Sequence, residues 1–550
     1  MLRPAIFRHW RWIVALTAVA LCSGLAFHLI GTLAPWAEPD GLALTAPAPT
    51  ATAPTAPTSA HAAVRKAVSE LTSRANFAPA HPQDLAAVTA FYNAHSRRLL
   101  WVTESGISAR GNSVINEIGK ADDWGLRARD FALPHLPPGA SPETVAAAEI
   151  AVTLAVLKYA RYARGGRFSD PSSISKLLDH KPPVRRAGDV LRDTAASAAP
   201  DAYLRSLHPQ HEQFEALRRL LLKLRGPDPT ALVEPGRESA DRSLTLARIL
   251  VNMERWRWLP ADLGAFYVWN NVPEFVTRVV RRGETIHSDK IVAGQPDWAT
   301  PAFSADLKTI VFHPGWVVPD GIKRKELLPR LRDSSQSGLV RLFTGAKSSR
   351  AMLEQHGLQV YYQGRPIDPD QVDWSKGDIG AFDFRQPPGP TNPLGSIKFM
   401  FPNRHDVYMH DTPERGLFAR SFRGLSHGCM RVAAPLRLAA ILLAQDKGWS
   451  EQQVESLLSG GTSEVQLTTR IPVHMTYFTA MVDRQGELQT FGDLYGLDTR
   501  MGEVLFGAKV PFVTPRYDDE IAAMRARDGP ATASSGPATL ADAIASIFSP

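Results

Sequence analysis

Cysteine is almost absent from this sequence, which has only Cys22 and Cys429 among its 550 residues. Cys22 lies in an apolar N-terminal run, and Cys429 lies in the C-terminal half. Exported proteins usually pair their cysteines or have none. If the N-terminal run stays in a membrane or is removed, Cys429 has no disulfide partner. It is then either an inert buried thiol or a reactive group.

The sequence also lacks a concentrated charge of one sign. Charged residues make up 21% of the chain, and the formal net charge of +7 is spread along its length. We find no RNA- or DNA-binding motif, so the sequence does not indicate a nucleic-acid partner. The positive excess suits an anionic membrane or cell-wall polymer, although solubility alone also accounts for it.

One long apolar run is present, over residues 13–33, and it follows Arg3, Arg8 and Arg11. An apolar run of this length behind basic residues predicts a signal anchor within residues 1–37, with its basic end in the cytoplasm. A cleaved signal peptide is the alternative. Both interpretations export the rest of the chain.

The remaining sequence divides by composition into four segments. Residues 38–80 are rich in Pro, Ala and Thr and predict a linker, and residues 516–550 predict a disordered tail. Apolar residues at helical spacing predict a helical domain over 81–245. Short β-rich runs between Gly, Pro and Asn predict a mostly-β domain over 246–515.

Local sequence signals predict where one helix and one strand begin or end. Ser141 followed by Pro142 predicts a helix start, and the pair Gly165-Gly166 predicts its end. Further along the chain, alternation of apolar and polar residues predicts a strand over 406–410 that ends at His410.

The residues around Cys429 suit thiol chemistry. A thiol becomes a strong nucleophile once ionised, and a nearby imidazole is the common means of ionising it. His410 lies 19 residues before Cys429, which leaves room for a strand, a turn and a return. Gly428 would let the backbone approach a substrate and offer an oxyanion amide. Arg431 would suit a substrate carboxylate.

These residues resemble the active-site signature of the L,D-transpeptidase family with the YkuD-type catalytic domain. The chain supplies His410 and then the run SHGCMRV over 426–432. Further segments, at 252–260, 385–403 and 472–480, resemble the large YcbB-like subgroup of Gram-negative bacteria. The resemblance implies an α+β multidomain protein. Its parts would be an N-terminal anchor, a helical scaffold domain and a mostly-β catalytic domain with a capping element at about 319–384.

The resemblance also implies a reaction and roles for residues. Cys429 would attack the third residue of a peptidoglycan stem peptide, release D-Ala and pass the acyl group to a second stem. His410 would be the base, and the backbone carbonyl of Asp411 would orient it. The residues expected to bind substrate or shape the pocket are Arg431, His427, Ser426 and Tyr408.

The expected partners follow from the same resemblance. They are a tetrapeptide donor, a diamino-acid acceptor, carbapenem-type inhibitors, and the inner membrane through residues 13–33. The expected location is the periplasm. No metal and no organic cofactor are implied.

Two departures from the subgroup stand out. Only about 20 residues separate Leu224 from Leu246, where subgroup members commonly carry a peptidoglycan-binding module. So short a segment cannot bury a core of its own. Pro393 stands where a small residue is more usual, which would change the local loop.

Other functions stay open at this point. A non-catalytic wall-associated scaffold would not need the thiol, and a thiol peptidase or carboxypeptidase could act on the same stem peptides. A zinc site from His405, His410, His427 and Cys429 is disfavoured. His405 and His410 are an odd number of residues apart on a predicted strand, so they would face opposite sides.

Overall fold

The computed structural model describes residues 80–94, 99–103, 106–226, 237–334 and 348–507, with a few positions between 59 and 70 and residues 510 and 512. Within these residues, no helix is long and apolar enough to cross a membrane. The predicted anchor at 13–33 lies outside the described residues, as do most of the predicted linker and all of the predicted tail.

The first half of the described chain is helical. Its helices up to residue 206 enclose a core of their own, which includes Trp101, Val114, Val156 and Tyr159. A two-stranded ladder of β1 (Val102–Thr103) and β2 (Gly106–Ile107) joins them. The helices at 212–225 and 237–258 contribute to another core, which they share with the second half. The helices are α1 (Pro82–Ala94), α2 (Ala109–Gly119), α3 (Pro142–Gly165), α4 (Ala187–Ala196), α5 (Pro200–Ser206), α6 (Glu212–Arg225) and α7 (Arg237–Trp258).

Helix α3 begins and ends where the sequence predicts. The Ser141 hydroxyl accepts a hydrogen bond from the Thr144 amide, and Pro142 occupies the first turn. Gly166 ends the helix with a φ of 80°, a backbone conformation that suits glycine. The predicted boundary between residues 245 and 246 falls inside helix α7. This helix packs on both halves because its residues Leu246 and Val251 enter different cores.

The second half is built on a nine-stranded sheet. Its strand order is β13-β5-β14-β12-β11-β6-β15-β3-β4, and β4 also pairs with β5, so the sheet curls around and closes on itself. Its strands are β3 (Phe266–Asn271), β4 (Val276–Arg281), β5 (Glu284–Gly294), β6 (Phe303–Phe312), β11 (Ile397–Met400), β12 (Met409–His410), β13 (Gly424–Ser426), β14 (Met430–Val432) and β15 (Ser463–Thr476). Helices α11 (Pro435–Lys447), α12 (Glu451–Ser456) and α13 (Leu497–Phe506) and the ladder of β16 (Ala480–Val482) with β17 (Leu488–Thr490) complete this half.

Residues 316–334 and 348–386 form a smaller unit within this half. Trp316, Leu331, Trp374 and Phe384 lie in its own core. The unit holds a sheet in the order β7-β10-β8-β9. Its elements are β7 (Trp316–Val317), α8 (Asp320–Ile322), a π-helical turn (Lys323–Leu327), α9 (Leu328–Ser334), α10 (Ser349–Glu354), β8 (Gln359–Tyr362), β9 (Arg365–Pro366) and β10 (Phe382–Gln386). We call residues 316–334 and 348–386 the small-sheet unit.

The strand predicted over 406–410 is wrong in its first part, because only Met409 and His410 are extended in a ladder. Asn403 explains the difference. Its side-chain oxygen accepts hydrogen bonds from the amides of His405 and Val407, which folds this segment into a loop. Asp406, within the loop, has a φ of 54°. A short polar side chain that bonds to nearby backbone amides competes with strand pairing.

The pleat of the central strands separates core residues from polar ones. Phe399, Met409 and Met430 lie in the core inside the closed sheet. Because successive side chains of a strand point to opposite faces, their neighbours Lys398 and His410 lie on the other face. Lys398 pairs with His410 across β11 and β12, and His410 pairs with Arg431 across β12 and β14. The candidate site is built on this second face.

Candidate functional site

Cys429 lies immediately before strand β14. The amide of its neighbour Met430 donates to the Tyr408 carbonyl at 3.1 Å, so Cys429 stands beside Tyr408 in the ladder. Its side chain is partly exposed. The Sγ–H group donates to the Asp406 carbonyl oxygen at 3.8 Å. The loop that Asn403 holds therefore forms one wall around the sulfur.

The surroundings of Cys429 keep its thiol protonated. Burial raises the pKa of Cys429 to about 11, although hydrogen bonds from Tyr408 and the positive charge of Lys398 act in the opposite direction. A thiol with this pKa holds little thiolate at neutral pH. Cys429 therefore needs a group that takes its proton during attack.

His410 is placed on the same face, on the neighbouring strand β12. Its Nδ1–H group donates to the backbone carbonyl of Asp411 at 2.5 Å. Burial and, after it, the positive charge of Arg431 lower the pKa of His410 to about 3, against the opposite effect of the carbonyls of Asp411 and Pro393. The imidazole is therefore neutral at physiological pH and can accept a proton at Nε2.

The side chains of Cys429 and His410 lie on the same face of the sheet, and each bonds to the backbone. Cys429 Sγ donates to the Asp406 carbonyl and also bonds with the Tyr408 side chain, while His410 Nδ1 donates to the Asp411 carbonyl. The Tyr408 ring stands beside His410, with 5.7 Å between ring centroids. The resting site thus combines a neutral thiol and a neutral imidazole.

The turn before Cys429 is held by Ser426. Its hydroxyl donates to the Cys429 carbonyl at 2.5 Å and accepts from the Gly428 amide at 3.3 Å. Gly428 has a φ of 103°, where other residues are strained. Thr300 donates to the Gly428 carbonyl at 2.8 Å. The predicted oxyanion amide of Gly428 is thus engaged by Ser426 in this structure, through a long hydrogen bond.

His427 connects the turn to the small-sheet unit. Its Nε2–H group donates to the Glu326 carboxylate at 2.7 Å, and its ring meets Trp298 at 4.9 Å between centroids. Lys325 stands over the Trp298 ring, with Nζ 4.3 Å from the ring centroid. Glu326 and Lys325 belong to the π-helical turn, and such turns are often found at functional sites.

Arg431 is not open to the solvent. Its residue is 1% exposed, and Nη1 donates to the Glu414 carboxylate at 2.5 Å. The predicted partner was a substrate carboxylate, whereas the structure pairs this guanidinium with a carboxylate of the chain itself. A desolvated arginine bound to one carboxylate is well suited to hold strand β14 and the turn in place.

Asp411 is fixed by its side chain as well as its position. The carboxylate accepts from the Ser396 amide at 2.8 Å, from the Thr412 amide at 2.6 Å and from Arg415 at 2.5 Å. A fixed Asp411 presents its backbone carbonyl to His410 in one orientation. Gly395 is packed against this carboxylate, because a methyl group at Gly395 would lie 2.4 Å from Asp411 Cγ.

The structure does not bring a metal-ligating cluster together in the residues it describes. His405 is turned away to the helical half, where Nε2 contacts the Asp179 carboxylate at 2.7 Å. Arg404 binds the same carboxylate. These contacts hold the loop that carries Asp406.

Sequence reasoning missed four residues around the thiol: Lys398, Asp406, Trp298 and Glu326. The signal for Lys398 was present, because a lysine stands between two core residues, Ile397 and Phe399, in a strand. Glu326 had no such signal, since its contact with His427 spans 101 residues of sequence.

Two parts of the chain match models of known domains. Residues 86–221 match a scaffold domain, and residues 265–455 match the YkuD model, an L,D-transpeptidase catalytic domain. Helix α7 lies between the two matches.

Relatives with names of the same kind are found by sequence and by structure. A curated protein of Haemophilus influenzae whose name contains L,D-transpeptidase is 30% identical over 257 residues, which cover 46% of this chain and 48% of that protein. The chain thus spans about half the length of this relative. An L,D-transpeptidase structure from Mycobacterium smegmatis covers 38% of this chain and 58% of its own, with 10% identity and a TM-score of 0.17. The alignment with the structure of the Ldtfm-avibactam carbamoyl enzyme covers 40% of this chain and 50% of that chain, with 11% identity and a TM-score of 0.15. The sequence matches, and not these two alignments, support the domain assignment.

Proposed function

Since residues 265–455 are an L,D-transpeptidase catalytic domain, we propose that the whole chain is an exported enzyme that cross-links peptidoglycan stem peptides through a thioester on Cys429. The observation that carries the proposal is the partly exposed Cys429 thiol on the same sheet face as the neutral imidazole of His410. A thiol of high pKa beside a neutral imidazole suits proton transfer during attack.

In this mechanism, Cys429 Sγ bonds to the carbonyl carbon of the third stem residue while its proton passes to His410 Nε2. The amide bond to the terminal D-Ala breaks, and His410 returns the proton to the leaving amine. A thioester remains. The side-chain amine of a second stem attacks the thioester and gives a proton to His410, and the departing thiolate takes that proton back.

His410 and Asp411 support this sequence of proton transfers. The hydrogen bond from Nδ1 to the Asp411 carbonyl leaves the lone pair on Nε2. Because both groups start neutral, no buried ion pair has to be maintained between turnovers.

The proposed setting is the periplasm. Residues 13–33 would hold the protein at the inner membrane, and a tetrapeptide donor and a diamino-acid acceptor would be its substrates. A carbapenem would acylate Cys429, since opening of its ring leaves the whole inhibitor on the sulfur. Targeting to the wall would use the active-site groove and the positive net charge of +7.

Incubation of the purified full chain with disaccharide-tetrapeptide tests the proposal, with product masses as the measurement. A dimer that has lost one D-Ala is the expected product. A tripeptide without dimer would instead indicate a carboxypeptidase, in which water takes the thioester. Unchanged tetrapeptide, from a protein with a native circular dichroism spectrum, would support the non-catalytic scaffold.

The contact of Gly395 with Asp411 gives a prediction for positioning of the base. Gly395→Ala places a methyl group into the Asp411 carboxylate, so Asp411 and the ring that its carbonyl orients must shift. We expect acylation of Cys429 by a carbapenem to slow about tenfold or more, because small displacements of reacting groups are costly. The rate is measured by intact mass against time.

Gly448→Ala is the matched control, because Gly448 has a similar positive φ of 70° and a methyl group there meets nothing within 4 Å. This variant should acylate at the wild-type rate. A Gly395→Ala enzyme that acylates as fast as Gly448→Ala would show that Asp411 does not position His410.

A further inference from the structure

Lys398 is an unusual residue for its place in the sheet. It lies in strand β11 between Ile397 and Phe399, which are both in the core of the closed sheet. The pleat turns Lys398 to the opposite face, directly across the ladder from His410. There its side chain is half-buried, and Nζ lies 3.9 Å from the centroid of the Tyr408 ring.

The Tyr408 side chain contacts both this ammonium and the sulfur of Cys429. Tyr408 stands beside Cys429 in the ladder, and its side chain hydrogen-bonds to the sulfur. A cation over an aromatic face is held there by the ring quadrupole. Lys398 lies on β11, and Tyr408 and Cys429 immediately precede β12 and β14, so the three residues lie on one face of the sheet.

The other charged and titratable groups near Lys398 do not replace it. Glu464 on β15 acts on Lys398 together with Cys429. Arg431 is the other nearby cation, and it is bound to Glu414. His410 is neutral, and the Asp406 charge opposes ionisation of the thiol.

We propose that Lys398 is the cation that stabilises the negative charge of Cys429 Sγ when the thiol gives up its proton. The inference deepens the proposed function, since it rests on Cys429 as the reacting atom. Its physical basis is the attraction between an ammonium and a developing thiolate in a partly desolvated site. The proton still passes to His410, and Lys398 keeps all of its own.

Alkylation of Cys429 tests this inference without any transpeptidation. The protein is the full chain with Cys22→Ala, so that one thiol remains, and the probe is iodoacetamide at several values between pH 6 and 10. Lys398→Met keeps much of the side-chain length and removes the charge. Because only the thiolate reacts, we expect alkylation at pH 8 to slow about tenfold, equivalent to a pKa of Cys429 raised by about one unit.

Two variants separate charge from packing. Lys398→Arg retains the charge and should alkylate within about threefold of the parent. Lys308→Met, on the exposed part of β6, removes a lysine charge elsewhere and should leave the rate unchanged. Lys398→Gln replaces the Met variant if thermal unfolding shows that the latter does not fold.

A folded neutral variant with the parental pH profile would overturn the inference, and so would an Arg variant as slow as the Met variant. Both outcomes are independent of the proposed function. An enzyme inactive on stem peptides can still show the charge effect on alkylation, and an active enzyme can lack it.

Discussion

The Cys429→Ala variant is expected to fold normally and to form no cross-linked product. Cys429 is partly exposed, and its thiol makes a long hydrogen bond to the Asp406 carbonyl and a hydrogen bond with the Tyr408 side chain, so its removal costs little packing. The reaction, in contrast, loses the atom that forms the thioester. Removal of a catalytic nucleophile typically lowers turnover by several orders of magnitude.

Two measurements check this result. Incubation with disaccharide-tetrapeptide should give the dimer with the parent enzyme and none with Cys429→Ala. Incubation with a carbapenem should add one inhibitor mass to the parent and none to the variant. Cys22→Ala is the control, since it removes the other thiol and should behave as the parent does. Normal cross-linking by Cys429→Ala would show that the nucleophile has been assigned wrongly.

Local chemistry explains which parts of the fold could be predicted. The start of helix α3 depends on Ser141 and Pro142, and its end depends on glycine, so neighbouring residues alone determine both. The loop at 403–407 depends on the side chain of Asn403, which bonds to two amides that a strand would have used. The alternation of apolar and polar residues over 406–410 predicts a strand. It carries no information about the hydrogen bonds of Asn403, so the prediction is wrong there.

The candidate site also has a part that the sequence predicts and a part that it does not. The run of residues 426–432 indicates a thiol enzyme, and the resemblance supplies His410. The partners of the site residues come from distant segments: Glu326 reaches His427 across 101 positions, and the helical half holds the Asp406 loop through Asp179. Such contacts depend on how the sheets pack, which no local pattern encodes.

The structure also changes the expected role of Arg431. The expected partner of Arg431 was a substrate carboxylate, since a guanidinium binds carboxylates well. Its burial and its hydrogen bond to Glu414 favour a structural part in the turn. Removal of one partner from a buried ion pair of this kind destabilises the protein, because the other charge is left without compensation.

His410→Ala is expected to slow acylation of Cys429 by on the order of 100-fold or more at neutral pH, the usual scale for losing a general base. The reason lies in the high pKa of the Cys429 thiol. With the pKa of Cys429 at about 11, very little thiolate is present at pH 7, so the reaction depends on transfer of the proton to His410. His427→Ala should have a smaller effect, since it removes the contact with Glu326 and not the proton acceptor.

The pH dependence distinguishes this role from others. The pKa of His410 is lowered to about 3, so the imidazole stays neutral, and the thiol stays protonated, from pH 5 to pH 8. Both reacting forms are thus fully present throughout, and the rate at which a carbapenem acylates the parent enzyme should be nearly constant there. In His410→Ala only the rare thiolate can attack, so its rate should rise about tenfold per pH unit. Intact-mass time courses at each pH measure both, with His287→Ala on β5 as a control that keeps the parental profile. If the parental rate decreases as the pH drops below 6.5, the pKa of His410 is that of an ordinary histidine. Equal pH profiles in the parent and His410→Ala would show that His410 takes no part in the reaction.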